Sequence, residues 1–166
     1  LERLKQFTDA QARGGGVGIN VSALRPRGTP VRKVNGRSSG SVSWAALFAF
    51  VSRDLVSQGG SRRGASLVLL EDWHPDLLEF ISCKKNGTYM QGANISVGIS
   101  DAFMEAVREN RPWLLKFPDT DHPAYRTEWD GNLRAWAEAD RPVKIHAELP
   151  ARQLWVTLCE SAWASA

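Results

Sequence analysis

The run Ala65-Ser66-Leu67-Val68-Leu69-Leu70, followed closely by His74-Pro75-Asp76-Leu77-Leu78-Glu79-Phe80, decides the fold. Six residues without charge or polar alternation are what a strand covered on both faces requires. His74-Pro75-Asp76 then opens a helix, with proline in the first turn, where its missing N–H costs nothing. Leu77, Leu78 and Ile81 give that helix an apolar face. A buried strand feeding a helix is part of a βαβ unit, so the alternation should continue on both sides.

It does. Upstream, Trp44, Leu47, Phe48, Val51 and Leu55 recur at helical spacing, with Ser41 or Ser43 to cap the helix and Gln58-Gly59-Gly60 to stop it. Phe50 and several alanines lie off that stripe, so burial on more than one side is expected. Residues 25–41 read as a loop rich in Arg, Gly, Ser and Pro. Before it comes a strand, Val17-Gly18-Ile19-Asn20-Val21, behind the cluster Gly14-Gly15-Gly16; residues 1–13 end a helix. Downstream, Ala93 to Ile99 is a strand, Ser100-Asp101 caps a helix with Phe103, Met104 and Val107 inward, and Trp113 to Pro118 is a short strand. Residues 119–142, polar and acid-leaning, read as a surface insertion with some helix, although they carry Tyr125, Trp129 and Trp136. Pro150 starts the last helix, with Leu154, Trp155, Leu158, Cys159 and Ala162 inward. The fold class is therefore α/β with a largely parallel sheet.

Composition agrees with one soluble domain: 166 residues, 43% hydrophobic and 23% charged. No apolar run approaches the ~20 residues of a membrane span, so no membrane partner is expected. Two cysteines, Cys83 and Cys159, make no disulfide framework and suit a reducing cytoplasm. His74, His122 and His146 have no metal-ligand spacing, and no nucleophile–base pair is readable, so neither a metal site nor a catalytic residue is expected here. Both ends read as cuts through something longer.

The net charge of +3 matters less than its distribution. Between Ala10 and Arg53 there is no acidic residue, but there are Arg13, Arg25, Arg27, Arg32, Lys33, Arg37 and Arg53. Such a stretch is either a solvated basic face or a place for polyanions, phosphate above all. Gly14 to Gly18 does not make a dinucleotide fingerprint: Ile19 and Val21 stand where glycine is needed, and the cluster precedes its strand. It offers bare backbone that a ligand can approach, or a tight turn. Gln58-Gly59-Gly60-Ser61-Arg62-Arg63-Gly64 pairs flexible glycines with two forked guanidiniums, as a phosphate- or base-sensing loop would.

Taken in order, six blocks resemble the catalytic subunit of ribonucleotide reductases. They are Gly15-Gly16-Val17-Gly18-Ile19-Asn20, Leu24-Arg25-Pro26-Arg27-Gly28-Thr29-Pro30-Val31, Ser38 to Ser43, Gln58 to Ala65, His74 to Phe80, and Asn94 to Asp101. Ala151-Arg152-Gln153-Leu154-Trp155 with Glu160-Ser161-Ala162-Trp163 resembles the helix leading toward that family's catalytic loop. The similarity covers most of the chain except 119–142. The wording of the His74 and Asn94 blocks looks most like the adenosylcobalamin-dependent branch.

The resemblance implies a ten-stranded α/β barrel, of which residues 1–166 supply a part, mainly of the first half. It implies that Gly15, Gly16 and Arg62 face the ribonucleotide substrate. It places Arg25, Val31 and Arg32 on the first loop of a site for a deoxynucleoside triphosphate effector, with Gln58, Gly59 and Gly60 on the second. It further implies the remainder of the barrel, a thioredoxin-like reductant and a second copy of the chain as partners. The family's radical cysteine lies in an Asn-Pro-Cys-Gly-Glu-like loop, which does not occur in these residues, and Cys83 and Cys159 match none of its redox thiols. The chain alone is therefore expected to be inactive. The alternative is a stand-alone nucleotide-binding regulatory domain. A nucleic-acid module is disfavoured, because the arginines cluster on two glycine-rich loops and not along a helix face with stacking aromatics.

Overall fold

The computed structural model describes residues 2–31, 35–57, 64–85 and 90–165. Helix α1 (Glu2–Ala12) leads into β1 (Gly16–Asn20). A two-residue antiparallel pair, β2 (Pro30–Val31) and β3 (Gly36–Arg37), forms within the stretch expected as loop. Helix α2 (Ser41–Phe50) continues directly as a π-helical segment, Val51–Val56. Then come β4 (Ala65–Glu71), α3 (Leu77–Ser82), β5 (Asn94–Gly98), α4 (Asp101–Arg108) and β6 (Pro112–Pro118). The chain continues through α5 (Tyr125–Glu128), α6 (Leu133–Glu138), β7 (Val143–Pro150) and α7 (Ala151–Ser165).

The strands β1, β4 and β5 form a parallel sheet in the order β1-β4-β5. Gly16 pairs with Ala65 and Leu67 with Asn94. The central strand is β4, whose Val68 and Leu70 are fully buried. They pack in one core with Phe80 and Ile81 of α3, Phe103 of α4, Leu115 of β6 and Leu154 of α7. The expected α/β class with a parallel sheet is therefore present; the described strands form an open sheet. No described helix is long and apolar enough to cross a membrane.

Leu78 of α3 and Met104 of α4, expected on the inward faces, are exposed, and four larger expectations need correction. First, α2 turns its small residues inward. Ala45 and Ala49 are buried, while Trp44, Leu47, Phe50 and Leu55 are exposed. The cause is a close approach: a Cβ on Gly92 would overlap the Ala49 carbonyl oxygen, so the chain before β5 lies flat on the helix backbone. Second, β6 does not join the parallel sheet. It pairs antiparallel with β7, which the sequence reading left unassigned, with an irregularity between Leu115 and Lys116.

Third, the 119–142 segment is not merely surface. Leu133 and Trp136 are buried, and Trp129 packs edge-on against Phe117 of β6, ring centroids 5.4 Å apart. Fourth, α7 buries Ala151, Leu154 and Ser161, while Cys159 and Ala162 are exposed. Leu154, Trp155 and Leu158 do face the core as expected, and the stripe is completed by Ala151 and Ser161 in place of Cys159 and Ala162. Ser100 does cap α4, its hydroxyl accepting the Phe103 N–H at 3.2 Å.

Candidate functional site

At the N-terminal ends of β1 and β4, the glycine cluster first closes a helix. Gly14 has φ 87°, and the N–H groups of Gly14 and Gly15 donate to Gln11 and Ala10 carbonyls at 2.8 and 2.9 Å. These donors are therefore spent on the end of α1. A Cβ on Gly15 would stand 3.0 Å from the Ala10 carbonyl oxygen. Gly16 differs. It is exposed on the ladder, and a Cβ there would meet Ala65 only at 3.8 Å, an ordinary contact.

The roots of the 58–63 loop lie at this same end. Ser57 Oγ accepts the Gly64 N–H at 2.8 Å and donates to the Ser52 carbonyl at 2.6 Å. Buried Gln11 ties these roots to α1: its Oε1 accepts from Ser52 Oγ at 2.7 Å and its Nε2 donates to the Ala65 carbonyl at 3.0 Å. Ser57 and Gly64, the described residues on either side of 58–63, are thus joined by one hydrogen bond near Gly16. Gln58, Gly59, Gly60 and Arg62 themselves, like Arg32, lie outside the described residues.

The other basic loop lies at the opposite end of β1 and α2. It is latched at both sides by one carboxylate. Asp76 Oδ1 accepts the Arg27 N–H at 2.9 Å. Its Oδ2 accepts the Ser41 N–H at 2.8 Å and the Ser41 hydroxyl at 2.9 Å. The cap of α2 is therefore Asp76, brought from α3's N-terminus, and neither Ser41 nor Ser43 caps it through its own side chain. Gly40 makes this possible. Its φ is 85°, and a Cβ there would press on Asp76 Oδ2 at 2.9 Å and Arg27 Cβ at 2.8 Å. The Arg27 guanidinium forks onto Glu79 at 2.6 and 2.7 Å and reaches Ser43 Oγ at 3.0 Å.

His74 completes the latch. Its Nδ1 accepts the Asp76 N–H at 3.0 Å, so the proton sits on Nε2 and points at the Leu24 carbonyl, 2.9 Å away. Burial pushes its pKa below the ordinary value, against the Leu24 hydrogen bond and the Asp76 charge, which raise it; His146 adds a lesser push downward.

Within this loop Arg25 is half-buried. It donates to the Pro30 carbonyl at 3.2 Å, and its guanidinium carbon lies 5.4 Å from the centre of the Tyr125 ring. Its Nε is buried and has no hydrogen-bond partner. Val31 is half-exposed on the β2–β3 pair, opposite Gly36. The sequence reading missed the Asp76–His74–Glu79 latch, although His74-Pro75-Asp76 was the visible signal. It missed Tyr125 too, for which no local signal exists.

Two cavities adjoin these features. A groove of about 520 Å³ runs along β1 between Phe7, Ile19, Leu24, Trp44 and Leu47. A polar one of about 490 Å³ lies between Asn20, Glu71, Trp73, Asp130, Asn132 and Arg134. Among the described residues no group of three or more His, Cys, Asp or Glu could hold a metal ion. Burial pushes the Cys83 thiol up to about 11, so it is a poor nucleophile. The arrangement is suited to binding.

A family model described as the ribonucleotide reductase barrel domain matches residues 1–166. The chain is 34% identical over 162 residues to a vitamin B12-dependent ribonucleoside-diphosphate reductase of Mycobacterium tuberculosis, covering 97% of this chain and 20% of that protein. It is 32% identical to a vitamin B12-dependent ribonucleoside-diphosphate reductase of Thermoplasma acidophilum, covering 100% of this chain and 19% of the relative. It is also 32% identical to the ribonucleoside-diphosphate reductase large subunit of Arabidopsis thaliana, covering 96% and 20%. The chain spans about a fifth of the length of the curated relatives it matches.

Proposed function

The chain belongs to the ribonucleotide reductase barrel-domain family, and from that premise we propose that it is the nucleotide-facing and regulatory stretch of a ribonucleotide reductase large subunit. The whole enzyme is then an oxidoreductase that makes deoxyribonucleotides from ribonucleotides for DNA synthesis by radical chemistry. This chain's share is binding. Gly15, Gly16 and Arg62 face the substrate. Arg25, Val31 and Arg32 hold a deoxynucleoside triphosphate effector, and Gln58, Gly59 and Gly60 link effector to substrate. No residue here has a catalytic role, and the chain alone is inactive.

The observation that carries this reading is the meeting, at one end of β1 and β4, of the exposed face of Gly16 with both roots of the 58–63 loop. Two segments separated in sequence thereby share one mouth. The effector loop lies beyond the sixteen residues of α2 and its π-helical extension, roughly 20 Å away. A homodimer gives one effector access to both loops, and the exposed Trp44, Leu47 and Leu55 on this helix give it an apolar face to pair with.

The names of two relatives, vitamin B12-dependent reductases, support adenosylcobalamin as the cofactor of the whole enzyme. Neither of these two cavities is lined by a histidine or cysteine that could ligate cobalt. The remainder of the barrel would hold it. A thioredoxin-like reductant and a cytoplasmic location complete the proposal.

The test is Gly16→Ala in the full-length enzyme. The fold accommodates the added methyl, so thermal stability should hold while kcat/KM for ribonucleotide falls about tenfold or more, the equivalent of ~1.4 kcal/mol. Unchanged kinetics would remove Gly16 from the substrate face.

A further inference from the structure

We propose that the 119–142 segment tunes the effector loop, with Tyr125 as the positioning residue for Arg25. This rests on the assignment of Arg25 to the effector site. Trp129 Nε1 donates to the Ala23 carbonyl at 2.9 Å, two residues before Arg25. Tyr125 stacks on Trp129, centroids 6.4 Å apart and planes 20° apart. Trp129 in turn packs edge-on against Phe117 at 5.4 Å and Trp136 at 5.8 Å. Trp136 is buried and fixed by its Nε1 donating to the Pro142 carbonyl at 3.0 Å. A column of rings therefore runs from β6 to the guanidinium of Arg25.

The column does two things. A free arginine loses much rotamer freedom when it clamps a phosphate; one already held over a ring loses less, which raises affinity. A ring under the guanidinium also engages its charge without consuming hydrogen-bond donors, since those lie in the guanidinium plane. Arg25 spends one terminal N–H on the Pro30 carbonyl, and a guanidinium carries four terminal N–H groups, so the fork keeps capacity for an anion.

The experiment is calorimetry of each of the four deoxynucleoside triphosphates with the full-length enzyme. Tyr125→Leu keeps apolar bulk but removes the ring, and should weaken the bound effector about threefold to tenfold, the scale of a cation–π contact. Tyr125→Phe should restore affinity to within about twofold, because the ring alone is needed. In an Arg25→Ala background Tyr125→Leu should add nothing, because the two act as one unit. Equal weakening in both backgrounds would mark a general packing effect and overturn the proposal. If Arg25→Ala weakens binding while Tyr125→Leu does not, the proposal fails and the effector-loop assignment stands. If neither does, both fall.

Discussion

Replacing Asp76 by alanine should loosen the effector loop at both its ends. The carboxylate is 6% exposed and accepts three hydrogen bonds, from Arg27 N–H, Ser41 N–H and Ser41 Oγ–H. The hydroxyl can rotate to another acceptor, but the two amides cannot. Each amide left without a partner costs about 1–3 kcal/mol, and one of them is the first orphan donor of α2. The local loss is therefore about 3 kcal/mol, which is on the order of 100-fold in the local opening equilibrium. Hydrogen exchange with peptide resolution reads this directly in the full-length protein. Peptides spanning 24–28 and 41–45 should exchange on the order of 100-fold faster in Asp76→Ala, and β4 should be unaffected. Asp76→Asn keeps one acceptor oxygen and should recover part of the protection. Exchange at Ser41 within about threefold of the parent would show that Asp76 does not hold the loop.

A histidine-exchange titration should place His74 below its ordinary value of 6.5. Its neutral form is favoured in the fold, so the stabilisation it gives is intact above about pH 6.5 and is lost as pH falls below that toward the folded value. A measured value above 6.5 would contradict the buried tautomer drawn for it. Gly92→Ala should destabilise by roughly 1–3 kcal/mol or more, because its Cβ runs into the Ala49 carbonyl and meets Arg53 Cβ at 2.8 Å. Gly98→Ala should cost only about 0.5 kcal/mol, since its Cβ meets the end of the Glu71 side chain, which can swing away. Equal losses in thermal unfolding would refute that distinction.

The parts of this fold legible in sequence are those fixed by neighbouring residues. The apolar run of β4, the Ser100 cap and the helical stripe of α2 all depend on local spacing. What α2 packs against does not. A stripe of large residues shows that a face exists, whereas the close approach of Gly92 makes the alanine face the buried one. The strand β7 was legible after all. Val143, Ile145, Ala147 and Leu149 alternate with Lys144, His146 and Glu148, but the polar members resemble loop composition. The candidate site follows the same division. Glycine and arginine loops can be seen in sequence; the Asp76 carboxylate that latches one of them comes from 35 residues away from Ser41 and 49 from Arg27. Trp129 and Ala23 are 106 residues apart, and no local pattern connects them.

The measurement that tests the account most directly is a competition among the four ribonucleotides in the full-length enzyme, with each deoxynucleoside triphosphate present in turn. The variant is Arg62→Ala, in the glycine-flanked loop whose roots meet beside Gly16. If this stretch of chain transmits effector identity to the substrate, the variant should change which ribonucleotide is preferred under each effector, and should change effector affinity less. A preference order identical to the parent's under all four effectors would contradict it.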